Sequence, residues 1–176
     1  DSFEPRPDLA ECFNKFANNQ NIKFHNKAVG INNGNVLFYL SETTNFGSSV
    51  IKEKDGVMKT PILVESICFD DFINKNFSTD DYIVVKLDIE GGEYELIPYL
   101  LLKNTFKFID KLYIELHHGK VGKKIKESQS LIESILNRKN NKTEVIDNQS
   151  WLFRQYFPNH ETNDFCNDTV NQSLNG

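Results

Sequence analysis

Apolar positions along this chain switch between a helical and a strand period. Residues 8–18 place Leu9, Cys12, Phe13 and Phe16 at three- and four-residue intervals after Pro7, which predicts a short helix with a single apolar stripe. Residues 22–29 read as strand. Asn32-Asn33-Gly34 is a turn signal, and residues 36–40 beyond it favour strand, so a hairpin-like return is predicted there. Residues 43–56 read as loop.

Farther along, residues 62–67 can form a strand and residues 70–73 a helical turn. Residues 82–87 are apolar except for Lys86, which predicts a central parallel strand buried on both faces. A helix over 93–104, with Ile97, Leu100 and Leu101 on one side, then leads to a strand over 111–116, completing a strand–helix–strand unit. Residues 121–138 carry Ile125, Leu131, Ile132, Ile135 and Leu136 at helical intervals, and residues 143–146 and 151–153 can close the domain as strands. Strands alternating with helices imply an α/β sandwich with a mainly parallel sheet, whose ligands gather at the carboxyl ends of the strands. One domain over 1–156 with a polar tail over 157–176 is the expected organisation.

Composition narrows this picture. With 176 residues, 39% of them hydrophobic, the chain can bury one core but not two independent ones. A net charge of −5 argues against nucleic acid as the partner, because phosphate binding shows itself as clustered excess Lys and Arg. A small-molecule acceptor is easier to accommodate. Cys12, Cys68 and Cys166 lack the close spacing of zinc or dithiol sites, which makes a reducing, cytoplasmic compartment the simplest reading. Asn-x-Ser/Thr triplets at Asn76, Asn141, Asn148, Asn167 and Asn171 would suit a Golgi or secretory lumen if an anchor precedes this segment, but so Asn-rich a chain produces such triplets by chance. No apolar run of about 18 residues is present, so no membrane span is expected in this segment.

The chemistry concentrates in residues 84–95, where a strand ends in Asp88, Glu90 and Glu93 wrapped around Gly91 and Gly92. Alternate strand residues share a face, so Val84, Lys86 and Asp88 point one way, as do Tyr113, Glu115 and His117 on the next strand. Neighbouring strands lie roughly 4.8 Å apart, so Asp88 and His117 can approach one small molecule or metal from adjacent strand ends. Lys86 and Glu115, one layer deeper, are expected to form a buried ion pair. Glu93 at a helix start is stabilised there by the backbone dipole whether or not a ligand is bound. Near the N-terminus, Phe3-Glu4-Pro5-Arg6-Pro7 puts a carboxylate where nucleotide-binding α/β folds bind ribose hydroxyls.

Phe-Glu-Pro-x-Pro at 3–7, Asn26-Lys27-Ala28-Val29-Gly30, Phe69-Asp70-Asp71-Phe72-Ile73, the 86–95 block and Tyr113-Ile114-Glu115-Leu116-His117 together resemble the FkbM methyltransferase family in order and spacing across residues 1–118. The resemblance implies a Rossmann-like class I methyltransferase using S-adenosylmethionine, with Glu4 on the cofactor ribose, Lys27 and Ala28 beside the adenine, and Asp88 and Glu90 lining the reaction cavity. It also implies a preceding strand and glycine-rich turn, between the strands ending at Glu4 and Asp88, which is not found upstream of Asp1. The sequence is therefore read as part of a longer enzyme, with weak or no cofactor binding expected of this segment alone.

Methyl transfer needs an acceptor held in line with the sulfonium and often a proton acceptor. His117 is the expected base, with Asp88 as its orienting partner or as an alternative base, and a sugar-like or secondary-metabolite hydroxyl is the expected acceptor. In a variant, Asp88, Glu90, Glu115 and His117 hold a divalent cation such as Mg or Mn that acidifies the acceptor hydroxyl. Two other classes compete: a non-catalytic binding module or inactive fragment of the same fold, and a nucleotide-dependent oxidoreductase, which leaves the 88–93 block without a role. His25, His118, His160, Ser48 and Ser49 are assigned none.

Overall fold

The computed structural model describes residues 1–13, 18–42, 47–117, 130, 134–135 and 143–147. Through them the chain forms β1 (Ser2–Phe3), a 3₁₀ turn (Pro7–Leu9) running into α1 (Ala10–Phe13), β2 (Phe24–His25), β3 (Ala28–Gly30), β4 (Gly34–Phe38) and β5 (Ile62–Cys68). There follow α2 (Phe69–Asn76), β6 (Ile83–Leu87), α3 (Glu93–Lys103), a 3₁₀ turn (Thr105–Lys107), β7 (Ile109–Ile114) and β8 (Glu144–Asp147). Residues 14–17 of the first expected helix, most of the helix expected over 121–138, the strand over 151–153 and the tail over 157–176 lie outside the described residues.

Parallel pairing dominates, as alternating strands and helices lead one to expect. β1–β2, β3–β5, β6–β7 and β7–β8 are parallel, and β4–β5 is the antiparallel pair. The result is a mixed α/β architecture. Its strands do not form one continuous sheet among the described residues; they form three small ones, ordered β1-β2, β3-β5-β4 and β6-β7-β8.

Several local expectations are corrected. The strand over 22–29 is split in two, because the Asn26 side chain donates to the carbonyls of Glu4 and Arg6 and Lys27 N–H bonds back to His25, which turns the chain between sheets. No β3–β4 hairpin forms; β5 lies between them. The turn at 32–34 is instead fastened to β5, whose Cys68 N–H donates to the Asn33 side chain, and β4 then runs in register from Gly34 opposite Ser66 to Phe38 opposite Ile62. β6 buries one face only: Ile83 and Leu87 are buried, while Val84 and Lys86, on the other face, are exposed along the wall of an open cavity. Lys86 accordingly pairs with Asp88, not with Glu115.

The main core forms where α3 lies against β6 and β7. Leu96, Ile97 and Leu100 meet Ile83, Leu87, Leu112 and Ile114, with Phe106, Ile109, Leu116 and Ile135 completing the cluster. A smaller cluster of Ala28, Phe38 and Val64 lies under β3–β5–β4. The two-stranded sheet is pinned to α2 by rings: Phe3 stacks on His25 at 4.6 Å, and Phe72 meets Phe3 edge-on at 5.1 Å. Among the described residues, no helix is long and apolar enough to cross a membrane.

Ile97 is fully buried in the main core, so Ile97→Ala leaves a cavity and is expected to cost about 3 kcal/mol in urea unfolding. A loss below about 1 kcal/mol would contradict this placement of α3.

Candidate functional site

The turn between β6 and α3 is built around one carboxylate. Glu93, the first residue of α3, is fully buried, and its Oε1 and Oε2 accept the backbone N–H groups of Ile89 (2.9 Å) and Gly91 (2.8 Å). Such a charge is tolerated inside only when donors surround it, and the start of a helix adds the favourable end of the backbone dipole. A third donor is His117, whose Nδ1 lies 3.1 Å from Glu93 Oε1.

To bring those amides round, the backbone takes an unusual path. Glu90 has φ 55° and Gly91 φ 107°, both in the left-handed half of conformational space. Glycine accepts this at no steric cost, while a glutamate there is uncommon and is held by its surroundings. Ser49 Oγ donates to the Glu90 carbonyl at 2.7 Å, and Lys54 Nζ lies 3.1 Å from Glu90 Oε2. At Gly92 a side chain has no room, since a Cβ there would come within 2.9 Å of the Ile89 side chain.

His117 follows β7 and reaches the same turn because β6 and β7 are parallel neighbours, with the ladder continued by Glu115 N–H donating to Leu87 O at 3.0 Å. Its side chain is 2% exposed. Nε2 lies 3.3 Å from Glu90 Oε2, 3.6 Å from Glu115 Oε1 and 3.7 Å from Asp88 Oδ1. Even so, it finds no hydrogen-bond partner among the described residues. One ligand atom each from Asp88, Glu90 and His117 falls within 4.8 Å of the others, a spacing suited to a cation. Burial is the largest single influence on the imidazole and disfavours its charge. The hydrogen bond to Glu93 and the charges of Glu93, Glu90 and Asp88 together outweigh it and raise the His117 pKa.

Asp88 and Glu90 face a cavity of about 730 Å³ that also takes in Asp1 to Arg6, Lys27, Ala28 and the length of β6 from Val84. Glu4 and Asp88, each the residue just past the end of a strand in a different sheet, thus share one hollow. Desolvation raises the Glu4 pKa, only partly offset by the Arg6 N–H it accepts at 2.9 Å. Lys27 Nζ turns to Glu65 Oε1 at 3.0 Å, and Ala28 is buried as part of the cavity wall. His117 does not line the cavity; it stands behind Asp88 and Glu90.

Sequence reasoning brought Glu4, Lys27, Ala28, Asp88 and Glu90 to one cavity, but missed Lys54 and Ser49. Lys54 has a side chain only 3% exposed and donates to the Gly47 carbonyl as well as meeting Glu90. Nothing in the run Lys52-Glu53-Lys54-Asp55 distinguishes it from a solvated loop lysine. Ser49, also buried, was seen but left without a role.

The model of the methyltransferase FkbM domain matches residues 2–147. No curated protein and no solved structure matches the chain.

Two outcomes follow from the site. Glu93→Ala strands two amides and an imidazole and is expected to cost about 3 kcal/mol or more in urea unfolding, whereas Glu95→Ala on the exposed side of α3 should stay within about 0.5 kcal/mol; equal effects would contradict the buried role of Glu93. A histidine whose folded pKa is raised contributes stability that is complete below its ordinary value of 6.5 and is lost as pH rises through the folded value. Thermal stability in chelator-treated buffer should therefore decline above pH 6.5 more steeply than in His117→Gln; parallel curves would show that His117 is not held as described.

Proposed function

Because the chain belongs to the FkbM family of S-adenosylmethionine-dependent methyltransferases, we propose that it methylates a hydroxyl of a small sugar-like or secondary-metabolite acceptor in the cavity between β1 and β6. The observation that carries this reading is that Glu4 and Asp88 line the same hollow. At about 730 Å³ the hollow is of the size that encloses a cofactor or drug-sized ligand. The separate parallel sets β1–β2 and β6–β7–β8 fit the two sides of a Rossmann-like sheet.

The residues fit the cofactor. Glu4 is a carboxylate short of water, with a backbone amide as one donor, and a ribose offers two more donors to the same group. Ala28 and Val29, with Phe69, present a mainly apolar wall suited to a purine. When bound, S-adenosylmethionine supplies an electrophilic methyl group on a sulfonium.

Of the His117 cluster, Asp88 and Glu90 both line the cavity, and Asp88 is the more exposed, at 31% of its side chain against 20%. It is placed to accept the proton of the acceptor hydroxyl at Oδ1, with Lys86 holding Oδ2 at 3.0 Å. His117 supports that transfer from behind, its orientation fixed by Glu93, and Glu90 limits the motion of the ring from the other side. This gives Asp88 the proton-accepting role and His117 a positioning one, the alternative that the sequence left open.

Calorimetric titration of the full-length protein with S-adenosylhomocysteine tests the reading. Glu4→Gln is expected to weaken binding at least about tenfold, or roughly 1.4 kcal/mol, while Asp88→Asn retains binding and loses turnover by about 100-fold or more. Unchanged affinity in Glu4→Gln would remove the ribose assignment, and undiminished turnover in Asp88→Asn the proton-accepting one.

A further inference from the structure

We infer that Asp88, Glu90 and His117 form a binding site for a divalent first-row transition cation, with its open coordination positions facing the cavity. This deepens the methyltransferase reading without depending on cofactor binding.

Glu93, held by two backbone amides, presents an oxygen to His117 Nδ1 and can only accept there, so Nδ1 carries the hydrogen. In the neutral ring that leaves the lone pair on Nε2. The lone pair is buried, has no hydrogen-bond partner among the described residues, and faces oxygens of Asp88, Glu90 and Glu115 at 3.3 to 3.7 Å. A lone pair set against carboxylate oxygens is stable only with a positive centre between them: a proton on Nε2 or a metal ion.

Three features favour the metal. The separations from Nε2 to Glu115 and Asp88, 3.6 and 3.7 Å, are wider than a hydrogen bond to an imidazolium requires, and the 3.3 Å approach to Glu90 forms no hydrogen bond. Ligands about 2.1 Å from an octahedral cation lie roughly 3 Å apart when adjacent and about 4.2 Å apart when opposite, and the donor atoms here all fall within 4.8 Å of one another. The carboxylate on the far ring nitrogen is the arrangement that fixes the tautomer and raises basicity in metal-bound histidines. One imidazole with carboxylates suits Mn(II), Fe(II) or Zn(II) better than Mg(II) or Ca(II).

Two ammonium groups border the cluster: Lys54 meets Glu90 at Oε2, the oxygen that also faces Nε2, and Lys86 meets Asp88 at Oδ2, the oxygen turned away from the ring. Asp88 therefore offers Oδ1 to a cation while Lys86 balances its other oxygen, whereas a cation at Glu90 would share Oε2 with the Lys54 ammonium. A cation there would be reached from the cavity through Asp88 and Glu90, and an acceptor hydroxyl bound to it would lose its proton more readily.

The test uses chelator-stripped protein titrated with Mn(II), with free ion measured by electron paramagnetic resonance and the bound ion by electron spin echo modulation. One ion per chain is expected, with a nitrogen coupling from imidazole, and with Asp88→Asn weakening it more than about tenfold while Glu95→Gln binds as the unsubstituted protein does. Binding no tighter than about 1 mM, bound Mn(II) without nitrogen coupling, or equal affinity in Asp88→Asn would each overturn the site and leave a proton on Nε2. S-adenosylhomocysteine titrated into chelator-stripped full-length protein separates the two readings: cofactor binding without Mn(II) binding sinks the cation site alone, and Mn(II) binding without cofactor binding upholds the cation site while counting against the methyltransferase cavity.

Discussion

A carboxylate with no access to water holds the functional end of this domain together. The Glu93 side chain is accommodated in the core by the amides of Ile89 and Gly91 and the imidazole of His117, which meet both of its oxygens. Satisfying it forces the chain into a left-handed turn at Glu90 and Gly91, and that turn sends Asp88 and Glu90 into the cavity while the ring stays behind them. The exposed carboxylates and the buried one thus arise from a single local constraint. Packing of α3 through Leu96, Ile97 and Leu100 fixes where that constraint sits relative to β6 and β7.

Two other elements bring the opposite wall to it. The ring cluster of Phe3, His25 and Phe72 fastens β1 and β2 to α2, so that Glu4 faces the edge of β6 across the hollow. The segment after β4 folds back so that Ser49 bonds the Glu90 carbonyl and Lys54 reaches its carboxylate. Contributions from three separate sheets meet at one site, although those sheets are not hydrogen-bonded to each other among the described residues.

Much of this was legible in the sequence because its signals are local. The run from Val84 through Glu95 announces a strand, a carboxylate-rich turn and a helix, and strand parity alone brings His117 beside Asp88. Residues 3–7 announced a carboxylate at a strand end. What stayed hidden depended on pairing at long range. Nothing local says that β5 will come between β3 and β4, since the choice depends on a seven-residue strand that satisfies both and on Asn33 anchoring the turn to it. Apolar neighbours predict a buried Lys86, yet its face of β6 opens on the cavity and the lysine turns to Asp88. Lys54 lies in a charged loop run that looks solvated until the chain closes over it.

The account rests on the cavity between β1 and β6 being where cofactor and acceptor meet, with the Glu93 turn presenting Asp88 to them. A crystal structure of the full-length protein with S-adenosylhomocysteine bound tests that most directly. The account predicts ribose hydroxyls within hydrogen-bond distance of Glu4 and the thioether sulfur on the Asp88 side of the same hollow. Ligand bound elsewhere, or with its ribose turned away from Glu4, would contradict it.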